Sequence, residues 1–190
     1  GVAQKLSTFD ALIIPGGFGR RGIEGKIKAI KYARENKKPI LGICLGMQLM
    51  AIEFARNVMG LKGANSTEFD ESTPYPVVNM MEEQKKIMNL GAQKMRVLKG
   101  TKLYNIYNQE EVFERHRHRY EVDTERFSEM FKRPGEEGYK FVISGESEFL
   151  EAIEIEGHPF FIGVQYHPEY KSKVGQPHQI FLELIRAIEE

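Results

Sequence analysis

The chain has 190 residues, of which 41% are hydrophobic and 28% charged, as is ordinary for a globular domain with its own core. Its formal net charge is zero, so the composition gives no sign of nucleic acid or an anionic membrane surface as a partner. A single cysteine excludes an internal disulfide, which suits the reducing cytoplasm, and no apolar run approaches the roughly 20 residues of a membrane span.

The first third of the chain predicts a unit of strand, helix, strand and helix. Residues 11–14 form a short apolar run that predicts a buried strand, and this run ends in a glycine-rich loop over 15–19. A helix is predicted over 22–36, with apolar residues on one face, and a second buried strand over 40–43. Two apolar strands joined by a helix predict a parallel sheet, whose functional residues lie at the carboxyl ends of the strands.

The only cysteine, Cys44, lies between the apolar run 40–43 and a stretch with helical spacing over 45–59. Gly42 and Gly46 flank it two residues away on either side, which is the spacing of a nucleophile elbow with sulfur in place of a hydroxyl. The glycines permit a sharp reversal from strand to helix, and the helix N-terminus favours a thiolate. A lone cysteine is more often a small core residue, but the flanking glycines favour a nucleophile.

The rest of the chain predicts shorter and more varied elements. Strands in the second half alternate apolar and polar residues, which is typical of antiparallel pairing. In chain order we predict a mobile loop or lid over 81–93, strands at 94–98 and 102–104, a helix over 124–132, strands at 139–144, 148–155 and 159–164, and an amphipathic helix over 177–189.

The segment 111–122 contains two histidines, His116 and His118, two positions apart and among arginines. On an extended strand they share one face and could bind a metal ion. No third ligand is evident and the neighbouring side chains are cationic, so the sequence favours a charged, hydrogen-bonding strand beside a site.

A base for Cys44 is predicted near the C-terminus. A thiol with an ordinary pKa is mostly protonated at neutral pH, so it needs a base, and the base needs an acid that orients it. Of the five histidines, only His167 combines a predicted strand end with a carboxylate, Glu169, two residues further on. We therefore predict a catalytic triad of Cys44, His167 and Glu169, with a surface His-Pro turn as the alternative.

These motifs carry a family resemblance. Gly-Ile-Cys-Leu-Gly-Met-Gln over 42–48 and His-Pro-Glu over 167–169 resemble the class I glutamine amidotransferases. The loop 15–22, the Asn-Ser-Thr-Glu-Phe segment 65–69 and the segment 114–122 resemble the glutaminase domains of the CTP synthase family, over nearly the whole chain. The resemblance implies an α/β, flavodoxin-like fold: a mixed, largely parallel sheet flanked by helices, with some antiparallel strands in the second half.

The resemblance implies a role for each catalytic residue. Cys44 attacks the side-chain amide of L-glutamine, and the backbone N–H groups of Gly17 and Leu45 hold the oxyanion, for which glycine permits a close approach. His167 protonates the departing ammonia and then activates water, while Glu169 orients His167. Neither a metal nor a cofactor is implied for this domain.

Further residues match the family's glutamine-binding positions, namely Gln48, Glu68 and the stretch Arg119-Tyr120. A free amino acid carries an ammonium group, which suits Glu68, and a carboxylate, which needs donors. Without the resemblance, Glu68 would be interpreted as a solvated loop carboxylate and Arg119 as a surface cation. Both assignments therefore depend on the resemblance.

The resemblance also implies partners. In that family a synthetase half of the same polypeptide uses the ammonia to convert UTP to CTP with ATP and Mg²⁺, GTP is an allosteric activator, and the enzyme is a homo-tetramer. We expect residues 1–190 to be a single glutamine amidotransferase domain that lacks this half and the family's first strand and helix. Asn89 stands where related enzymes often carry arginine, so the chain departs from the family at a position linked to stimulation by GTP.

Three alternatives remain open at this point. The chain could supply ammonia to another acceptor, as a separate GMP synthetase subunit does. It could be a γ-glutamyl hydrolase that uses the same triad on peptides. It could also be a catalytically silent module that keeps the fold, although such a module has no chemical need for the complete set of Cys44, His167 and Glu169.

Overall fold

A computed structural model describes residues 1–18, 20–80, 88–132, 134–135 and 138–190. None of the helices within these ranges is long and apolar enough to cross a membrane. Its helices and strands in chain order are α1 (Val2–Leu6), β1 (Leu12–Ile14), α2 (Ile23–Glu35), β2 (Ile40–Ile43), α3 (Leu45–Asn57), β3 (Asn65–Ser66), β4 (Pro76–Asn79), β5 (Asn89–Val97), α4 (Lys102–Tyr107), β6 (Glu111–His118), β7 (Glu121–Val122), β8 (Lys140–Glu146), β9 (Leu150–Glu156), β10 (Phe161–Val164) and α5 (Gln179–Glu189).

Among the described residues, seven strands form the main sheet in the order β1-β2-β10-β9-β8-β5-β6. The pairs β1–β2 and β2–β10 are parallel, and the other four pairs are antiparallel. The mixed α/β architecture is confirmed, but the parallel part is smaller than expected. Residues 147–149 alone connect β8 to β9, and so short a connection allows only antiparallel pairing.

The core lies on both faces of this sheet. In the central strand β2, Ile40 packs with the cluster that contains α2 and α3, whereas Leu41 and Ile43 pack with the cluster that contains α5. This alternation follows from the period of two along a strand, and it explains why all of β2 is apolar and buried. Helices therefore cover both faces of the sheet, and a site can form only at the ends of its strands.

A small second sheet consists of β3, β4 and β7 within the described part of the chain. Ser66 pairs with Val78, and Val78 pairs with Val122, so that β4 joins two segments distant in sequence. β3 runs parallel and β7 antiparallel to β4, so the residues that follow β3 and those that precede β7 lie at the same end of β4. This arrangement brings Glu68 close enough to Tyr120 for its charge to act on the Tyr120 hydroxyl.

Three of the predicted elements are wrong or incomplete. Residues 102–104 begin the helix α4 instead of forming a strand, because Thr101 and the buried carboxylate of Glu154 accept hydrogen bonds from its first N–H groups. Residues 89–93 belong to the strand β5, which pairs with β6 along its length, and only 81–87 of the predicted lid lie outside the described residues. In the stretch 124–132, which we predicted to be helical, turns precede a 3₁₀ helix over Ser128–Phe131.

Candidate active site

Cys44 lies at the sharp turn between β2 and α3. Its backbone has φ 52° and ψ −104°, a left-handed conformation that is rare for a residue with a side chain. Its N–H donates to the carbonyl of Val164 at 2.8 Å, which ties the turn to the adjacent strand β10. Such a strained junction holds the side chain at the carboxyl edge of the sheet, as the nucleophile elbow requires.

The flanking glycines serve close packing, since neither has a positive φ. A Cβ on Gly46 would lie 2.2 Å from the backbone oxygen of Ile14, and a Cβ on Gly42 would lie 2.8 Å from the Gly46 carbonyl carbon. Helix α3 can therefore approach β1 and β2 only if both positions lack a side chain. The glycines thus give the room that the turn needs, while Cys44 itself adopts its strained backbone conformation.

The surroundings of Cys44 favour the protonated thiol over the thiolate. Burial raises its pKa to about 12, and the carboxylates of Glu121 and Glu169 act in the same direction, whereas hydrogen bonds from the Leu45 backbone and from Gln165 oppose them. The thiol faces the Arg117 carbonyl, with 3.8 Å between sulfur and oxygen. These surroundings oppose the thiolate that a helix N-terminus favours, so Cys44 needs a base when it reacts.

His167 and Glu169 are bonded to each other. The Nδ1 of His167 lies 2.5 Å from Oε1 of Glu169, and the Tyr170 ring stacks on the imidazole with 4.5 Å between centroids. An ionised carboxylate can only accept, so Nδ1 carries the proton and Nε2 presents a lone pair. This Nε2 is buried and has no hydrogen-bond partner among the described residues.

Gly16 separates the imidazole from the thiol. A Cβ at this position would lie 2.8 Å from Cε1 of His167 and 3.4 Å from Cβ of Cys44. Both side chains therefore lie against the same glycine, and the ring carbon Cε1 is bonded to both Nδ1 and the unpartnered Nε2. The backbone of His167 is fixed there because its N–H donates to the Arg115 carbonyl at 2.8 Å.

A cleft of about 160 Å³ opens on Cys44. Besides Cys44, its lining includes all five residues expected to contact glutamine or the oxyanion, Gly17, Leu45, Gln48, Glu68 and Arg119. It also includes Tyr120, which belongs to the matched Arg119-Tyr120 stretch, and three residues that the sequence did not single out for this role, namely Phe18, Met88 and His118. A second cavity, of about 250 Å³, shares Cys44 with the cleft and contains His167 and Glu169. Cys44 therefore lines both the cleft and the cavity that contains the predicted base, His167.

His116 and His118 form a buried polar chain beside this cleft. Their rings are joined by a 2.8 Å contact between Nδ1 of His116 and Nε2 of His118. At 3.2 Å on either side lie carboxylate oxygens of Glu151 and Glu121. Burial lowers the pKa of His116 to about 4 and that of His118 to about 3, so both are neutral near pH 7. In the ranges that the structure describes, no group of three or more His, Cys, Asp or Glu side chains is arranged to hold a metal ion.

The two remaining histidines have structural contacts away from Cys44. His158 contacts the Ala33 carbonyl through Nε2 at 2.9 Å. His178 caps α5, accepting from the N–H of Ile180 at 3.1 Å, and contacts Glu114 through its other ring nitrogen at 2.8 Å. Both rings are therefore engaged in holding backbone segments together.

Comparison with known proteins defines the class to which this fold and site belong. A sequence model of the family "Glutamine amidotransferase class-I" matches residues 2–187. The glutaminase domain of the Trypanosoma brucei CTPS, solved with bound acivicin, superposes with a TM-score of 0.89 at 36% identity, covering 98% of this chain and 74% of that one. The chain belongs to the class I glutamine amidotransferase family, and within it to the glutaminase domains of CTP synthases.

The chain is similar in sequence to one part of the CTP synthases. The chain is 73% identical over 193 residues to the CTP synthase of Thermosipho africanus, covering 98% of this chain and 37% of that protein. It is 69% identical over 195 residues to the CTP synthase of Thermotoga maritima, covering 99% of this chain and again 37% of that protein. The chain thus spans little more than a third of these relatives and corresponds to their glutaminase part.

Proposed function

We propose that the chain hydrolyses L-glutamine to glutamate and ammonia, with Cys44 as the nucleophile. The observation that carries this proposal is a cleft that reaches the buried thiol of Cys44, which also borders the cavity containing His167, whose Nε2 has no hydrogen-bond partner among the described residues. Membership in the glutamine amidotransferase family supports glutamine as the substrate.

In the first half of the proposed reaction, Cys44 is acylated. The thiol transfers its proton to Nε2 of His167 as the sulfur attacks the side-chain carbonyl carbon of glutamine. The oxygen of that carbonyl takes up the electron pair and is held by the backbone N–H groups of Gly17 and Leu45. His167 then donates its proton to the amide nitrogen, the C–N bond breaks, and ammonia leaves a thioester on Cys44.

In the second half, water replaces the thiol. His167 takes a proton from the water as its oxygen attacks the thioester carbon, and the same N–H groups hold the new oxyanion. The C–S bond then breaks with its electron pair on the sulfur, which recovers the proton from His167, and glutamate is released. Glu169 keeps Nε2 directed at the reacting atoms in both halves by its bond to Nδ1.

The amino-acid end of glutamine is proposed to bind at the rim of the cleft. Glu68 and Arg119 carry opposite charges and both line it, so they can bind the α-ammonium and the α-carboxylate respectively. The base of the cleft is polar at Gln48, whose amide donates to the Tyr120 carbonyl at 3.0 Å. Such charges at one end and a nucleophile at the other would select a free amino acid with a side-chain amide.

In the whole protein we propose that the ammonia passes to a synthetase part of the same polypeptide, which converts UTP to CTP with ATP and Mg²⁺. The similarity of this chain to about a third of each CTP synthase supports that arrangement. We further propose that the domain itself needs no cofactor, that GTP is an activator, and that the whole enzyme is a cytoplasmic homo-tetramer without nucleic-acid or membrane partners.

The proposal is tested by measuring glutamate released from free L-glutamine by the chain and by its Glu68→Gln variant. We expect glutamate and ammonia in equal amounts, and for the variant a KM about 10- to 100-fold higher with little change in kcat, because a charge-assisted contact to the ammonium is lost. Glu71→Gln, on an exposed carboxylate of the same loop, is the matched control and should leave KM unchanged. Preference for a γ-glutamyl peptide over free glutamine, or an unchanged KM in Glu68→Gln, would contradict the proposal.

A further inference from the structure

Gln165 lies directly beside the nucleophilic sulfur, between the end of β10 and His167. Its side chain is fully buried, and Nε2 lies 3.6 Å from Sγ of Cys44. Its backbone N–H donates to the Glu151 carbonyl at 2.8 Å, which fixes the main chain from which the amide projects. A buried amide held in this way needs an account of what it does, because burial of an amide is unfavourable unless its polar atoms are satisfied.

A chain of hydrogen bonds fixes which end of the Gln165 amide faces the sulfur. The NH₂ group of Gln48 donates to the Tyr120 carbonyl at 3.0 Å and to Oε1 of Gln165 at 3.2 Å. A backbone carbonyl can only accept, so Gln48 must present its NH₂ group there, and Gln165 must in turn direct its oxygen at Gln48. The NH₂ group of Gln165 is thereby left facing the sulfur, since the flipped amide would oppose one NH₂ group to another.

We propose that Gln165 is a further residue of the catalytic machinery, whose side-chain N–H donates to the Cys44 sulfur and stabilises its thiolate. The inference rests on the glutamine hydrolysis proposed above. Gln165 would stabilise the thiolate in two steps of that reaction. The first is when the S–H proton moves to His167 as the sulfur attacks. The second is when the C–S bond of the thioester intermediate breaks and leaves its electron pair on sulfur.

The surroundings of Cys44 explain why such a donor is needed. Burial and the carboxylates of Glu121 and Glu169 disfavour the thiolate, and the hydrogen bonds that oppose them come from Leu45 and Gln165. The Leu45 N–H is also the group proposed to hold the oxyanion, so it is drawn to the substrate oxygen as the tetrahedral intermediate forms. Gln165 is on the sulfur side, and its donor stays available to the sulfur throughout the reaction.

The first test is the rate at which iodoacetamide alkylates Cys44 at pH 8 in the absence of glutamine. The reagent is small and neutral, and its rate of reaction reports the reactivity of the thiolate. It therefore measures the effect of Gln165 on Cys44 even if the chain does not hydrolyse glutamine. We expect Gln165→Met to alkylate about tenfold more slowly, the size expected for a lost hydrogen bond to a charged group. Gln109→Met, on an exposed glutamine, is the matched control and should react at the wild-type rate. A wild-type rate in Gln165→Met would overturn the inference.

A second variant keeps the shape of the side chain. Gln165→Glu retains an acceptor for Gln48, and its carboxyl can donate to sulfur when protonated but repels the thiolate when ionised. The ratio of wild-type to variant alkylation rate should therefore rise with pH as the carboxyl ionises. A merely structural role predicts a ratio independent of pH, and that result would also overturn the inference. This variant decides the question if Gln165→Met fails to give the wild-type circular dichroism spectrum.

Discussion

Replacing Cys44 with alanine is expected to lower kcat for glutamine hydrolysis by about a thousandfold or more, because the described residues that line the cleft include no other thiol and no serine or threonine hydroxyl to form the acyl intermediate. The measurement is glutamate released from free glutamine under saturating substrate. Glutamine should still bind, since the groups proposed to hold its charged end, Glu68 and Arg119, are unchanged.

The alanine variant should remain folded. Cys44 is only 4% exposed and the substitution removes a single sulfur atom, so we expect a loss of about 1 kcal/mol in the free energy of unfolding. In a domain of this size that loss lowers Tm by only a few degrees, about 2–4 °C. Glutamate release at the wild-type rate from a folded Cys44→Ala protein would refute Cys44 as the nucleophile.

Gly16→Ala is expected to lower kcat/KM by about a hundredfold, although it adds one methyl group and removes none of the reacting atoms. The new Cβ would lie 2.8 Å from Cε1 of His167, closer than carbon atoms can pack, so the imidazole must shift from its present position. Misplacement of a catalytic group by about 1 Å has an effect of this order. The measurement is kcat/KM for glutamine.

The matched control for this prediction is Gly25→Ala on helix α2. A Cβ there would meet no atom of the described residues within 4 Å, and alanine favours a helix over glycine. Gly25→Ala should therefore retain full activity and be slightly more stable than the wild-type protein. If Gly16→Ala were as active as Gly25→Ala, the space between His167 and Cys44 would not be the site of proton transfer.

The strand–turn–helix around Cys44 could be predicted because its signal is local. The apolar run 40–43 gives a strand buried on both faces, and the helical spacing after Cys44 gives α3. The pKa of the thiol could not be predicted, because it depends on burial by elements far along the chain and on Glu121 and Glu169. A helix N-terminus alone therefore misleads about the protonation state.

Elements determined by long-range contacts were predicted poorly. Residues 89–93 lack a clear period and became a strand only by pairing with β6. Residues 102–104 carry strand-like residues, but Glu154, some 50 positions away, caps them as a helix. Thr101, whose hydroxyl accepts from the N–H of Tyr104, was the one local signal that could have corrected this prediction.

The substrate cleft could be predicted from the family resemblance but not from the pattern of residues. Glu68 and Arg119 are brought together by β3, β4 and β7, strands of two to four residues that leave no periodicity to detect. The sequence analysis did not identify Gln165, although it lies only two residues before the His-Pro-Glu motif. A polar side chain continuing the buried apolar strand 161–164 was a usable signal, since burial of an amide requires partners.

The most direct test of the central claim, that a glutamine pocket ends on a reactive Cys44, is intact mass after incubation with a diazo-ketone analogue of glutamine. The account predicts a single covalent adduct on Cys44 that excess glutamine prevents and that Cys44→Ala does not form. No adduct, or an adduct that glutamine does not prevent, would contradict a glutamine pocket at this thiol.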